Sequence, residues 1–386
     1  MEFLFLTASN VPLFTRSDAE TATWQAEEMS LRLLFPYDKD KPAERGMRVF
    51  FRDADGAIQP YEIRKVRNFE PDHYQEITAE HIAISELTDR IFTQTDFDDV
   101  TAGSILSSLL TGTGWSVGND TSSGTSSLKL SNTTVWDAIA NLRTNWNVYI
   151  TPRVTFTAAG ITGKYLDIAP AAGIWNGLRL SINKNADDLG VTYDDTAVKT
   201  AIYGYGKQIT EGSGSTAVKT ITTFADTVWT ATAEHPAKPA GQTYVEDPQA
   251  TALYGRDGTP RFSFYQNSDI DDPALLLQKS WEYLKTVREP KVTIDCTIRD
   301  LYRLGYTDQP VRLHDIALVD VEPLGITLHR EIIKLSIDLL DPLQTQVTIG
   351  DYIPNIVYIA KQTSHSASGG GGGGGQTAKE YKESKF

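Results

Sequence analysis

Residues 290–299 read PKVTIDCTIR, a strict alternation of apolar and polar side chains. The alternation returns at 333–339, which read IKLSIDL, and at 347–349, which read VTI. Because successive side chains of a β-strand point to opposite faces, each stretch predicts a strand with one buried face. Turn-forming residues such as Asp341-Pro342 separate these stretches. Short alternating strands at near-regular spacing predict a small antiparallel barrel or sandwich over residues 290–352.

Length and composition limit the possible classes of protein. A chain of 386 residues is too long for one ordinary hydrophobic core, so several domains are expected. Hydrophobic residues make up 40% and aromatic residues 10%, which is typical of a globular protein. A net charge of −14 disfavours a dedicated DNA or RNA binder, since neutralising phosphates requires clustered Lys and Arg. The apolar run Phe3 to Leu6 lacks the basic flank of a signal peptide and predicts a first strand.

The first 95 residues predict mostly β-structure. Alternating runs begin at Leu31 and at Met47, and the stretch Asp53 to Gly56 is a strong hairpin-turn signal. The return strand passes through Tyr61 and Ile63. A further run is expected from Ile77 to Leu87.

Three helices are predicted from their capping residues. Thr101 is the expected N-cap of a helix ending near Leu110, and Thr134 with Asp137 resembles the capping box of a helix ending at Trp146. Asp272 precedes Pro273 at the start of the third helix. Other strands are predicted at 148–150, 154–156, 165–168, 198–205 and 221–228.

Several groups of residues resemble known sites but have the wrong spacing or a simpler explanation. Gly204-Tyr205-Gly206-Lys207 lacks both the spacing of a Walker motif and the Ser or Thr that follows its Lys. Cys296 lies in an alternating strand and is expected to be a buried apolar side chain. Two acidic groups before helices are expected to serve as helix caps rather than calcium ligands. They are Asp96, Asp98 and Asp99, and Asp269, Asp271 and Asp272.

Histidines and carboxylates near residue 80 are candidate metal ligands. His73, Glu76, Glu80 and His81 have neither of the zinc-protease spacings. A carboxylate pair for glycoside hydrolysis stays open, because 50 acidic residues offer many pairs and the sequence selects none. We therefore assign no catalytic, cofactor-binding or metal-binding residue and no cofactor.

Taken in order, several segments resemble one family, the prophage endopeptidase tail proteins or tail-associated lysins of siphophages that infect Gram-positive bacteria. The similarity is spread over about residues 1–352. The segments that carry it are Ile77 to Ile82, Thr134 to Ile139, Val148 to Ile150, Asp194 to Lys207, Tyr244 to Gly255, Pro290 to Leu301 and His314 to Gly350.

The resemblance implies a mainly β, multi-domain α+β fold similar to the phage baseplate hub. Two β-barrel tube domains are expected, together with two peripheral α+β domains. The expected domains are a first barrel at 1–95, a peripheral domain at 96–182, a second, split barrel at 183–215 and 290–352, an inserted domain at 216–289, and a flexible glycine-rich linker and tail at 353–386.

The function implied is that of a structural hub in the virion, at the tip of a siphophage tail. Three copies would form a ring that caps the tail tube below the distal tail protein and opens for DNA passage during infection. Met47 to Arg52 and Ile333 to Leu339 are the candidate strands in corresponding positions of the two barrels. Other expected neighbours are the tape measure protein, receptor-binding proteins and the host cell surface, and the DNA would pass without specific binding. The chain is not expected to be an enzyme; the alternatives are a cell-wall endopeptidase and a receptor-binding adhesin.

Overall fold

The computed structural model describes residues 1–70, 73–93, 95–157, 160–171, 173–182, 184–211, 218–321 and 326–350. The predicted linker and tail at 353–386 lie outside the described residues. No helix in the described ranges is long and apolar enough to cross a membrane.

The chain forms many strands and few helices. The N-terminal elements are β1 (Phe3–Leu6), β2 (Pro12–Arg16), β3 (Thr21–Gln25), β4 (Ser30–Pro36), β5 (Arg48–Arg52), β6 (Ile58–Phe69), β7 (Tyr74–His81), α1 (Ile82–Thr88) and β8 (Ile91–Phe92). The next are β9 (Thr95–Val100), α2 (Ala102–Leu109), β10 (Ser116–Asp120), β11 (Ser126–Leu130), β12 (Thr133–Thr134), α3 (Val135–Trp146), β13 (Val148–Thr157) and β14 (Gly160–Pro170).

The second half of the chain begins with another mixed region and ends in strands. Its first elements are β15 (Trp175–Ser181), β16 (Ala186–Asp194), β17 (Ala201–Tyr205), β18 (Gln208–Glu211), β19 (Val218–Ile221), β20 (Tyr244–Glu246), α4 (Pro248–Tyr254), β21 (Phe262–Gln266) and α5 (Pro273–Val287). The last four are β22 (Lys291–Ile298), β23 (Ile316–Val321), β24 (Ile326–Asp338) and β25 (Thr345–Gly350).

Thirteen strands belong to one large sheet, in the order β16-β22-β25-β24-β3-β4-β7-β6-β5-β1-β2. Strand β23 pairs with β24 and with β15 beside this path. The alternating stretches at 290–299 and 333–349 form β22, β24 and β25, and most of their apolar residues are buried as predicted, whereas Val292 and Ile333 are half-buried. The mainly β fold is thus confirmed.

Two closed barrels are not found in the described ranges. The strands expected for both barrels share one sheet, because β24 pairs with β3. They also share one hydrophobic core, which contains Phe3 and Leu33 from the first half and Ile294 and Leu335 from the second. We call this the first core.

Two further cores lie on segments inserted between strands of the large sheet. The second core spans residues 82–168, between β7 and β15, and the third spans 202–284, between β16 and β22. Strands β16 and β22 are antiparallel neighbours, and Asp194 at the end of one pairs with Lys291 at the start of the other. The third core therefore occupies a long excursion that starts and ends at one point of the sheet.

The predicted helix starts are confirmed by their capping bonds. The Thr134 hydroxyl accepts from the Asp137 amide at 3.0 Å and donates to the Asp137 carboxylate at 2.9 Å. Thr101 accepts from the Ser104 amide at the start of α2. The Asp272 carboxylate accepts from the Ala274 amide at 2.9 Å, with Pro273 in the first turn. Each cap satisfies an amide that has no partner within its helix.

Other local predictions were wrong. The run from Ile77 does not continue as a strand to Leu87, because α1 begins at Ile82 with buried His81 as its N-cap. The strand expected at 221–228 ends at Ile221. The short strands expected between 148 and 168 are instead the two long strands β13 and β14.

Two strands have partners that their position in the chain does not indicate. Strand β15, within the region expected as the first peripheral domain, pairs with β23 of the large sheet. Strand β17, within the region expected as part of the split barrel, pairs with β20 and β21 beside the third core. The domain limits themselves stay predictions.

Replacing Trp146 by Ala tests the second core. Its indole is buried and donates a hydrogen bond to the Val100 carbonyl at 3.1 Å. Trp146→Ala should lower the free energy of unfolding by about 3–5 kcal/mol, through lost apolar contact and the cavity left behind. Thermal or denaturant unfolding measures this loss. Tyr306→Ala is the control, because that residue is 80% exposed; equal losses in both variants would contradict the placement of Trp146.

Candidate functional site

The two halves of the large sheet meet at a short ladder, which we call the joint. Strands β3 and β24 run antiparallel, and Trp24 faces Ile337 at the centre of three residue pairs. The ladder is extended at both ends by backbone bonds. The Ala26 amide donates to the Leu335 carbonyl at 2.9 Å, and the Leu339 amide donates to the Ala22 carbonyl at 2.8 Å.

Side chains also connect the two halves of the sheet. The Leu335 amide donates to the Glu27 carboxylate at 3.0 Å, so an acidic side chain from the first half completes the hydrogen bonding of β24. Across the surface, Arg312 makes two bonds to the Asp55 carboxylate, at 2.8 and 2.9 Å. Tyr302 also donates to Asp55 at 3.1 Å. The Arg312 hydrogen bonds hold the pKa of Asp55 below its usual value, so the carboxylate stays charged near neutral pH.

A second bridge joins the sheet to the second core through Glu86 of α1. Its carboxylate accepts from Arg48 on β5 and from Lys164 on β14, each at 2.7 Å. The Trp115 indole donates to the same carboxylate at 2.7 Å. Burial alone would raise the pKa of Glu86, but the hydrogen bonds from Lys164 and Trp115 and the nearby positive charges outweigh it and lower that pKa. Glu86 therefore remains an anion between two cations.

A third bridge joins the second core to the far half of the sheet. The Tyr149 ring of β13 stacks on His314 with centroids 3.7 Å apart and planes 12° apart. His314 Nδ1 lies 2.7 Å from the Glu331 carboxylate, and the Tyr149 hydroxyl donates to that carboxylate as well. The second core is thus fixed to both halves of the sheet by polar contacts.

Three strands of the large sheet have a partner on one side only, within the part of the chain that the structure describes. They are β2, β15 and β16. Strand β16 carries Tyr193, which is 62% exposed, and β2 carries Leu13, which is 45% exposed. Such strands present unpaired backbone groups to another chain.

The strands proposed for corresponding positions in two barrels lie elsewhere. The stretch Met47 to Arg52 forms β5 from Arg48 onward, and β5 pairs with β1 and β6. The stretch Ile333 to Leu339 is the end of β24 plus one further residue, and β24 pairs with β25 and with β3. Neither stretch is an edge strand of the sheet, so strand pairing between copies would use other strands.

The cysteine is placed as the sequence predicts. Cys296 is buried on β22 within the first core. Burial, with a smaller contribution from Asp295, raises its thiol pKa to about 12. A thiol in this state is not a nucleophile near neutral pH.

The glycine-rich stretch at 204–207 has a packing role. A Cβ atom on Gly204 would lie 2.2 Å from the Phe224 ring, so only glycine fits there. The Gly206 and Lys207 amides donate to the carbonyls of Thr222 and Ile270, at 2.8 and 2.7 Å. These amides are therefore already bonded and do not form a phosphate cradle.

The histidines and carboxylates near residue 80 point to different partners. Glu76 pairs with Arg32, and Glu80 pairs with Arg64 at 2.8 Å. His73 is exposed, whereas His81 is buried and has its pKa lowered to about 3 by that burial. In the described ranges, no three His, Cys, Asp or Glu side chains are grouped to hold a metal ion.

The two acidic groups before the helices have different roles. Asp272 caps α5, as expected, and Asp271 approaches Lys207 at 3.4 Å. Asp96, Asp98 and Asp99 do not cap α2. They lie in β9, which pairs with β11, and Thr101 is the cap. A strand that reaches Val100 leaves only the next residue to cap the helix.

The bridging residues Glu86, Asp55 and Arg312 were not identified from the sequence. The turn containing Asp55 was predicted, but its partner Arg312 lies 257 positions away. An isolated Glu on a short helix carries no local signal that it will meet Arg48 and Lys164.

Comparisons with known proteins agree with this fold. A family model described as prophage endopeptidase tail matches residues 176–360. This match confirms the resemblance drawn from the sequence. No curated protein matches the chain.

Several solved structures of prophage tail proteins are similar along most of the chain. Prophage tail protein gp18 from Listeria monocytogenes EGD-e is 16% identical, with a TM-score of 0.57 over 96% of this chain and 100% of that one. The 43 kDa tail protein of prophage MuSo2 from Shewanella oneidensis is 13% identical, with a TM-score of 0.57 over 91% and 98%. The tail protein from Neisseria meningitidis MC58 is 13% identical, with a TM-score of 0.56 over 90% and 96%. At these identities the likeness shows the fold alone.

Replacing Glu86 by Gln tests the bridge between sheet and second core. The change leaves Arg48 and Lys164 facing each other without the anion, so the free energy of unfolding at pH 7 should fall by about 3 kcal/mol. Because the pKa of Glu86 is lowered in the folded state, its stabilisation is present above its ordinary pKa. That stabilisation is lost as the pH falls through the lowered value.

Denaturant unfolding of wild type and variant from pH 3 to pH 8 measures this effect. The difference in the free energy of unfolding between wild type and Glu86→Gln should become smaller towards pH 3. Glu70→Gln is the control, since that carboxylate is exposed and pairs with exposed His73; the substitution should change the free energy of unfolding by no more than about 0.5 kcal/mol. A difference that does not change with pH would mean that Glu86 acts through packing alone.

Proposed function

We propose that the chain is a structural hub at the tip of a siphophage tail, and the match of the prophage endopeptidase tail model to residues 176–360 supports this proposal. Three copies form a ring that caps the tail tube below the distal tail protein. The ring opens for DNA passage during infection. The tape measure protein, the receptor-binding proteins and the host cell surface are its other neighbours.

The observation that carries this proposal is the open sheet. Its path ends at β16 on one side and at β2 on the other, and neither end strand has a second partner in the described part of the chain. Different edges at the two ends suit head-to-tail contacts, and head-to-tail contacts close into rings when the rotation allows. We propose that β2 of one copy lies beside β16 of the next.

Two sheet halves per chain fit the symmetry of a tail. A siphophage tail tube has six-fold symmetry, and three chains present six halves to the ring above. The joint makes the halves of each chain one continuous unit. We propose that the halves act as the two tube domains of the hub.

The net charge suits contact with DNA in transit. Each chain carries −14, so three chains carry 3 × −14 = −42. A polyanion passing through such a ring meets overall repulsion rather than adhesion. We propose that the DNA passes without specific binding.

Cross-linking tests the contact between β2 and β16. Leu13→Cys and Tyr193→Cys in one chain should give covalent trimers in assembled tail tips treated with a short bismaleimide. Native Cys296 should not react, because it is buried with a raised thiol pKa. Mass measurement of the same tail tips should give three copies per particle.

The controls are the two single variants and the pair Leu13→Cys with Tyr306→Cys. Tyr306 is highly exposed but lies outside the edge strands. Cross-linking of either single variant would indicate contact between like edges. Six copies or one copy per particle, or equal yields from the control pair, would exclude the proposed ring.

We propose further that the chain has a structural role and no wall-degrading activity of its own. The buried state of Cys296 and the separate ion pairs of the carboxylates near residue 80 support this.

A zymogram tests the absence of wall-degrading activity. Residues 1–360 should leave a gel containing purified peptidoglycan unchanged beside a lysozyme standard. A clear band at the position of this chain would establish a hydrolase instead.

A further inference from the structure

A cleft of ≈ 580 Å³ opens on the third core, beside α5. It combines aromatic rings with charged and amide side chains, a composition found in ligand sites. Its lining includes Trp229, His235, Trp281, Gln278, Glu282 and Lys285.

One wall is a loop held in place by a buried lysine. Trp229 and Lys238 exchange two backbone hydrogen bonds of 3.0 Å. The Lys238 ammonium donates to the carbonyls of Ala225 and Thr227 at 2.9 Å and to that of Pro239 at 3.3 Å. An ammonium group is buried at low cost only when its donors are satisfied, so these bonds fix the loop in one conformation.

The aromatic rings of the cleft are held in fixed positions. The Trp229 and His235 rings lie with centroids 4.1 Å apart and planes 32° apart. The Trp281 indole donates to the Glu234 carbonyl at 3.1 Å, which ties the same loop to α5. Trp281 itself is buried, so the aromatic surface open to a ligand is that of Trp229 and His235 on the loop.

The opposite wall is a polar row along α5. Gln278, Glu282 and Lys285 follow one another at spacings of four and three residues, so they lie on one helical face. The row is about 10 Å long, at 1.5 Å per residue. The hydrogen bond from Lys279 lowers the pKa of Glu282, which stays an ionised acceptor.

We propose that this cleft binds a short neutral glycan of two or three sugar rings. The C–H face of a pyranose packs on the electron-rich face of an indole ring, and the half-buried Trp229 offers such a ring. Sugar hydroxyls hydrogen-bond to carboxylate and amide groups such as those of the α5 row. Aromatic rings on one wall and polar groups on the other provide for both faces of such a ligand.

Other ligand classes fit the cleft less well. Its carboxylates from Glu234, Asp272 and Glu282 outnumber the Lys285 ammonium, which disfavours ligands that carry phosphate. A quaternary ammonium ion would suit the Trp229 ring. A single small cation, however, would leave most of ≈ 580 Å³ unfilled and would meet Lys285.

The glycan site goes beyond the structural role proposed above and does not depend on ring formation. It lies on the inserted third core, whereas the proposed ring contact uses β2 and β16 of the large sheet. Glycan binding is therefore measured on the full chain in solution, and failure there leaves the test of the ring unaffected.

The experiment uses triacetylchitotriose and a printed array of neutral oligosaccharides. At least one of these glycans should bind the full chain and change its tryptophan fluorescence, with Kd from calorimetry. Trp229→Ala and Gln278→Ala should each raise that Kd at least tenfold. Gln278→Ala is the safer variant, since the side chain is exposed on a helix and alanine favours helix.

Leu253→Ala on α4 is the matched control, because Leu253 is 73% exposed and does not line the cleft. It should bind like the wild type. The proposal is overturned if no neutral glycan binds, or if both cleft variants bind as the wild type does. Binding of choline or oligolysine in place of glycans would also overturn it.

Discussion

The three residue pairs that join β3 to β24 are the contact on which the rest of the fold depends. Without these pairs, β3 and β24 would each leave backbone groups unpaired within the large sheet, next to Trp24 and Ile337. The Glu27 carboxylate and the Ala26 and Leu339 amides satisfy backbone groups next to the ladder. A buried backbone group without a partner costs about as much as a lost hydrogen bond, so a short ladder with satisfied ends specifies one register. One core can then extend through both halves.

Polar bridges fix the second core on this frame. Glu86 holds Arg48 and Lys164 on different elements, and Glu331 holds Tyr149 against His314. A partly buried charge is tolerated only where its partners are in place, so such groups favour one relative arrangement more strongly than an apolar contact does. Such rigidity suits the ring that we propose, because each copy of a ring must present its edges at a fixed angle.

The sequence was most informative where a structure depends on neighbouring residues. The alternation at 290–299 predicts β22, and Thr134 with Asp137 predicts the start of α3. It was least informative where a structure depends on distant pairing. Strand β15 alternates in the same way whichever sheet it joins, and Glu86 looks like any surface Glu until Arg48 and Lys164 are brought to it. Helix α1 was missed because its cap, His81, is also the last residue of an alternating strand.

The place of the third core is compatible with both the ring contact and the glycan binding that we propose. Asp194 and Lys291 are paired neighbours on β16 and β22, so everything between them leaves and returns to the sheet at one point. The entropy of closing such a loop grows only slowly with its length, and the sheet therefore tolerates a large excursion between two paired strands. The sheet register does not depend on what the excursion contains. Residues that line the cleft can therefore be substituted without altering the edge of β16 that we propose for ring contacts.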